Sequence, residues 1–432
     1  MRARGWIGGI IGAAVVIAGG GYAAIGWYPA IDPVSRPDPA GFEPEVVERG
    51  ETLAGVGACA VCHTAEGSAS FAGGLALETP FGTVHSSNIT PDPDTGIGDW
   101  SFEAFRRSMR EGVSRSGAHL YPVFPYTHFA RVTNDDLRAI YAFLMSQEPV
   151  EATPEPNNLQ FPTNFRPLLA GWKFLFHDAE PFTPNPDRSE AWNRGAYLSE
   201  GLGHCSVCHS PLNRFGAVVE SELYAGGSAE GWHAPALNED SPAPAPWGDL
   251  AMVNYLLDGW DLDHGIAAGP MQPVVDHLRG LSDDDVFAMA EYFLSLQGDP
   301  EEGARDRAIE FAETRQFGGG GEERIAQLPE QAQQGAEVFE DVCVNCHRAA
   351  SDTVPLGLTT TVNMPDPRNV IHIVLDGIEA PAGSPNKSMR AFATSVNDEE
   401  LADLLVFMRA QFTERAPWSD IEAAIAEVRG DG

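Results

Sequence analysis

The 432-residue chain contains six cysteines, and each belongs to one of three copies of a single pattern. These are CAVCH at Cys59–His63, CSVCH at Cys205–His209 and CVNCH at Cys343–His347. Two thiols at that spacing can each bond one vinyl group of a haem, and the histidine that follows lies beneath the iron as proximal ligand. C-x-x-C-H is the attachment pattern of c-type haem. A thioredoxin-like dithiol or half a zinc site also uses C-x-x-C. Neither accounts for three copies that all carry the histidine and leave no cysteine over. The expectation is three covalently bound haem c groups on Cys59, Cys62, Cys205, Cys208, Cys343 and Cys346, with His63, His209 and His347 on the irons. Such attachment takes place on the outer side of the cytoplasmic membrane, which puts this chemistry in the periplasm.

An iron held by one histidine has a second axial position. Methionine there raises the reduction potential relative to a second histidine, because the thioether is a soft, neutral ligand. Met271 stands in the loop before the closing helix of its repeat, and Met389 stands in the same place in the third repeat. Both are expected as iron ligands, with Met364 a rival out of register. In the first repeat, HLYPVFPYTHF (His119–Phe129), the slot in register holds Phe124, which cannot bind iron. His128 is the leading candidate for that haem. His119, His85, Met109 and an iron with no sixth protein ligand remain open.

These residues need elements to hold them. A glycine followed by an apolar residue three further on precedes each motif: Gly50/Leu53, Gly195/Leu198 and Gly335/Val338. Each repeat closes on a helix announced by a polar cap, at Thr133, Ser282 and Asn397, with an acid three residues later, a variant of the capping box. An aromatic recurs on the apolar face of these helices at Tyr141, Tyr292 and Phe407, where core packing is its expected role. The fold class is mainly α, with three tandem cytochrome c-like domains at 44–149, 189–297 and 331–415. Loop-rich linkers cover 150–188 and 298–330, and a tail covers 416–432. The first linker contains the apolar stretch LLAGWKFLF (Leu168–Phe176), too short to span a bilayer and expected to pack on a domain or a partner.

The net charge of −35 repels nucleic acid and anionic headgroups. Residues 1–30 differ from the rest. Arg2 and Arg4 precede an uncharged run from Trp6 to Tyr28, long enough for a membrane span and flanked by aromatics that suit its interfaces. A cleaved signal peptide has a shorter apolar core and a small-residue cleavage site, so a retained anchor with a cytoplasmic N-terminus is expected.

Four stretches carry a resemblance to a known family. They are FAGGLALETPFGTVHSSNITPDPDTGIGDW with HLYPVFPYTHF in repeat one, and WNRGAYLSEGLGHCSVCHSP with GPMQPVV in repeat two. Over nearly its whole length the chain resembles the triheme cytochrome c subunits of membrane-bound bacterial dehydrogenases. In one branch, serving quinoprotein alcohol and flavoprotein sugar dehydrogenases, the first-repeat segment reads LYPAMPY. In the other, serving molybdenum hydroxylases such as aldehyde, nicotinate or isoquinoline oxidoreductases, it reads LYPAFPYDHF. Phe124, the PY-x-HF histidine and the anchor are closer to the second. SMRAFA (Ser388–Ala393) replaces the usual MPAF of the third domain.

The resemblance implies an electron-transfer subunit with no substrate-oxidising site of its own. It would pass electrons from a molybdopterin subunit and a 2Fe–2S subunit to membrane quinone or a terminal oxidase. The alternatives are the same carrier serving an alcohol or sugar dehydrogenase and, more remotely, a haem peroxidase using the first haem. His204, before the second motif, is expected to bond backbone or a haem propionate.

Overall fold

The computed structural model describes residues 26–430. The N-terminal anchor expected over 1–30 lies almost wholly outside the described residues. Among those described, no helix is long and apolar enough to cross a membrane.

The chain divides into two units. The first takes the residues up to Pro186 together with Tyr197–His204. Helix α1 (Pro44–Val56) leads into the one-turn motif helix Cys59–His63, and an antiparallel hairpin follows, β1 (Ala76–Thr79) with β2 (Gly82–His85). Helix α2 (Phe102–Glu111) starts on the Ser101 side chain and stops at Gly112 in the left-handed region. Helix α3 (Asn134–Ser146) closes the repeat. The first linker wraps what precedes it. Its strand β3 (Asn158–Leu159) pairs with β2, and Val150 O accepts from Asn88 Nδ2 at 2.7 Å.

The linker ends in helix α4 (Leu169–Phe176), whose cationic side points inward. Lys173 is 7% exposed and donates to Glu111 O at 2.7 Å and Gly112 O at 2.5 Å. His177 Nε2 donates to Arg110 O at 2.9 Å. Carbonyls in the last turn of a helix lack intrahelical partners and carry its negative end. Three successive carbonyls at the end of α2 are satisfied in this way.

The second unit takes Asp187–Ala196 and everything from Cys205, so helix α5 (Glu190–Glu200) is divided between the two. A second hairpin, β4 (Gly227–Ala229) with β5 (Trp232–Ala234), follows the second motif. Helices α6 (Asp249–Asp258), α7 (Met271–Leu278) and α8 (Asp283–Gln297) complete that repeat. The linker to the third repeat contains a helix that its charged, glycine-rich composition did not announce, α9 (Ala304–Arg315). Gln411 Nε2 ties this segment down by donating to Arg315 O at 2.8 Å and Gly321 O at 3.0 Å.

The third repeat consists of α10 (Glu330–Val342), α11 (Arg368–Asp376), α12 (Asp398–Phe412) and α13 (Ile421–Arg429). Helix α13 lies in what reads from sequence as a tail, yet Trp418, Ile421 and Ile425 belong to the same core as Phe339 and Phe407. Repeats two and three pack directly on each other. Asn369 bonds the backbone of His233 in both directions at 2.8 Å, and Trp232 stacks on His372 at 4.6 Å.

One contact recurs in all three repeats. A Cβ at Gly50, Gly195 or Gly335 would overlap a backbone carbonyl of the closing helix, that of Ala139, Ala288 or Asp403. Each of these lies two residues after the first apolar position of its helix, Leu137, Val286 or Leu401. Only glycine lets the two backbones approach so closely. The acid after each cap is used in two ways. Asn397 and Glu400 form a reciprocal capping box. In the other repeats the acid turns to the arginine just before the glycine, with Arg49 on Asp136 at 2.5 Å and Arg194 on Asp285 at 2.6 Å. Gln334 fills that position in the third repeat. The recurrent aromatics pack in the cores, as expected. Tyr141 meets Phe102 at 5.8 Å, Tyr292 meets Tyr224 at 6.2 Å and Phe407 meets Phe339 at 5.4 Å.

Gly335→Ala is expected to destabilise the holoprotein by about 1–3 kcal/mol, as overpacking at a tight contact does. Chemical denaturation followed through haem absorbance measures this. Gly41→Ala, where a new methyl meets nothing within 4 Å, should leave the midpoint unchanged.

Candidate haem sites

None of the six cysteines is in a disulfide. In the first repeat Ala58, in the left-handed region, turns the chain into the motif helix. His63 Nδ1 then donates to Ser87 O at 2.6 Å. A carbonyl can only accept, so the proton sits on Nδ1 and the lone pair on Nε2. Burial holds His63 below its usual pKa, which keeps the ring neutral. An iron-binding imidazole needs this state, and a fixed second-shell acceptor on its other nitrogen orients it.

The second repeat repeats the device. His204, in the left-handed region, precedes Cys205, and His209 Nδ1 donates to Pro235 O at 2.8 Å. Burial lowers the pKa of His209 too. In both repeats the hairpin delivers the acceptor, Ser87 lying just after β2 and Pro235 just after β5. The motif histidine is also pinned through its backbone. Gly73 N donates to His63 O at 2.7 Å and Gly226 N to His209 O at 2.9 Å. Both glycines sit in the left-handed region, within Phe71–Gly74 and Tyr224–Gly227, which both read aromatic-Ala-Gly-Gly. This pattern was the sequence signal for the orienting carbonyls, and counting ligand types alone passes over it.

The third repeat is built differently. Among the described residues no hairpin follows Cys343–His347, and Ala349 N instead bonds Phe317 O at 2.7 Å. His347 Nδ1 is buried with no acceptor among the described residues. Its two thiols and imidazole fit a haem c, but without the carbonyl that orients the other two rings.

The candidates for the second axial position are placed as follows. Met271 begins α7 and is half-buried. Met389 is half-buried against the third core and exchanges backbone bonds with Ile378. Met364 is 4% exposed, and its sulfur accepts from Asn369 Nδ2 at 3.5 Å. That engagement disfavours it as a rival to Met389.

In the first repeat the Phe124 ring packs 5.4 Å from Phe129. His128 is buried and donates from Nδ1 to Glu200 O at 3.0 Å, leaving Nε2 with no hydrogen bond among the described residues. Burial, with His204 nearby, pushes its pKa down to about 4. It is therefore a neutral imidazole in the same tautomer as His63 and His209. Two of the other candidates are engaged or packed. His119 Nε2 bonds Gly26 O at 2.7 Å, and Met109 is buried within α2. His85, on β2, has a buried Nδ1 without a partner among the described residues. His204 bonds backbone, from Nδ1 to Leu202 O at 2.6 Å.

The segment 200–204 is held against the first repeat at several points. Arg131 pairs with Glu200 at 3.5 Å, and Phe129 packs edge-on to His204 at 5.6 Å. A Cβ at Gly57 would lie 3.5 Å from both Leu202 and the Cys59 sulfur. The turn that carries the chain into Cys205 thus rests beside the first motif.

Residues 47–148 match the cytochrome c family, and residues 330–408 match cytochrome c oxidase, cbb3-type, subunit III. A nicotinate dehydrogenase subunit from Pseudomonas putida is 41% identical over the whole of this chain, which spans 36% of that protein's length. The gluconate 2-dehydrogenase cytochrome c subunit of Pantoea cypripedii is 35% identical, with 89% of this chain and 90% of the relative covered. The cytochrome c subunit of a quinone alcohol dehydrogenase from Gluconobacter oxydans is 34% identical, with 90% and 83% covered. Motifs, helix crossings and whole-length likeness lead to one conclusion: the chain belongs to the cytochrome c subunits of dehydrogenases, electron-transfer proteins that bind haem c covalently.

Proposed function

We propose that the chain binds three haem c groups, one at each C-x-x-C-H, and carries electrons from a partner dehydrogenase into the respiratory chain. The observation that carries this reading is the threefold recurrence of motif, crossing glycine and capped closing helix in one chain. Bound haem supplies a reversible one-electron change at iron, and the protein supplies ligation, burial and docking. In this reading Cys59 and Cys62, Cys205 and Cys208, and Cys343 and Cys346 hold the porphyrins. His63, His209 and His347 would each hold one iron. Met271 and Met389 would be the second protein ligands of the second and third haems. His128 would be that of the first, supported by its neutral Nε2 and by Phe124 in the methionine slot. Two histidines give the first haem a lower potential than its His/Met companions.

The partner is proposed to be a molybdopterin and 2Fe–2S oxidoreductase acting on an aldehyde or N-heterocycle. Electrons then leave to membrane quinone or a terminal oxidase. The Phe-Pro-Tyr-x-His-Phe stretch supports this branch, as does the likeness to a nicotinate dehydrogenase subunit along the entire chain. A second reading, an alcohol or sugar-acid dehydrogenase as partner, is favoured by the relatives matched over most of both lengths. The uncharged run from Trp6 to Tyr28 is proposed to hold the protein on the periplasmic face of the cytoplasmic membrane.

Three measurements check these assignments. The mass of the mature protein should exceed that of its polypeptide by three haems, and a smaller increment rejects the count. His128→Ala should convert one of three low-spin haems to high spin in the absorption and electron paramagnetic resonance spectra. An unchanged spectrum removes His128 from the iron. Co-purification from membranes should bring down a larger subunit containing molybdenum, whereas a quinoprotein or flavoprotein without molybdenum would establish the second reading.

A further inference from the structure

Helix α4 and the turn before it present the wrong face to water. Arg166, Lys173 and His177 point inward, onto His119 O at 2.7 Å and the carbonyls that end α2. The opposite side is apolar and uncovered. Phe174 is 74% exposed and Leu175 68%, with Phe161, Phe165 and Leu168 exposed just before them. Gly171, between them, has open space where a side chain would be. Burying the cations and exposing the rings is costly in water, and contiguous exposed apolar surface marks a contact site.

The position of this patch indicates its occupant. His119, whose carbonyl receives Arg166, bonds Gly26 O through its ring. Tyr28 packs edge-on to the same ring at 5.7 Å, and Trp27 between them is exposed. Gly26 is where the described residues begin, near the end of the uncharged run from Trp6 to Tyr28. One loop therefore holds both the root of that run and the apolar linker.

We propose that Phe161–Phe176 is a second membrane contact, its phenylalanines and leucines seated in the lipid interface beside the root of the N-terminal segment. This rests on the reading of that segment as a membrane anchor. Aromatic and leucine side chains backed by an inward polar face suit the boundary between headgroups and acyl chains. The chain's strong negative charge fits a zwitterionic surface better than an anionic one.

The test uses full-length holoprotein with photoreactive p-benzoylphenylalanine in place of Phe174, of Leu175, of Val16 or of the exposed Glu51 on α1. Each variant is checked for its haem spectrum and reconstituted into phosphatidylethanolamine/phosphatidylcholine vesicles, and each is also irradiated in native membranes. Lipid adducts are expected from positions 174, 175 and 16 and not from 51. Lipid adducts at 16 without any at 174 or 175 overturn the proposal and leave the anchor standing. So do cross-links from 174 and 175 to another polypeptide or to residues 1–25. Adducts at 174 and 175 without one at 16 keep the contact and reject the anchor, and no lipid adduct at any position rejects both.

Discussion

A cytochrome of this kind depends on two backbones passing within a methyl group's reach of each other. The first helix of each repeat crosses the last at Gly50, Gly195 or Gly335, against the carbonyls of Ala139, Ala288 and Asp403. The crossing fixes the angle at which the chain leaves the first helix, and so where the C-x-x-C-H turn stands relative to the closing helix. The surrounding charges reinforce it. Asp136 and Asp285 hold the arginine next to the glycine, and Asp136 also accepts from Tyr197 at 2.5 Å. A side chain at the glycine would push apart both the helices and these bonds.

The scaffold allows two solutions for the imidazole. In the first two repeats a hairpin presents a carbonyl to Nδ1 and a glycine N–H to the histidine backbone. A hydrogen bond on that nitrogen increases electron donation from the ring to whatever its other nitrogen binds. Among the described residues the third repeat has neither, and the buried His347 Nδ1 has no acceptor. This agrees with the first and third repeats matching different families. The chain carries one helical frame in which the motif histidine is hydrogen-bonded through Nδ1 in two repeats and not in the third.

Much of this was legible in the sequence. The motifs, the crossing glycines, the polar caps and the aromatic on the closing helix each depend on neighbours a few residues away, and periodicity reveals them. What escaped notice depends on distant partners. Asp136 reads as half of a capping box, but its second bond goes to an arginine on another helix. His119 reads as a possible ligand, and its ring is engaged by Gly26. Helices α9 and α13 sit in stretches whose composition suggests linker and tail. They are held by packing of Ala312 and of Trp418 and Ile421 against surfaces made elsewhere in the chain. Composition counts residue types, and it does not say which carbonyls are still unsatisfied once the chain has folded.

The last of those helices affects how the molecule is made. Trp418 and Ile421 complete the core against which Phe339 and Phe407 pack, and a ribosome delivers them after every other part of that core except Ala424 and Ile425. The third repeat therefore stays open while the first two can already close. Any product cut short before residue 418 lacks the indole that donates to Met364 O at 2.9 Å and the side chains that close this core.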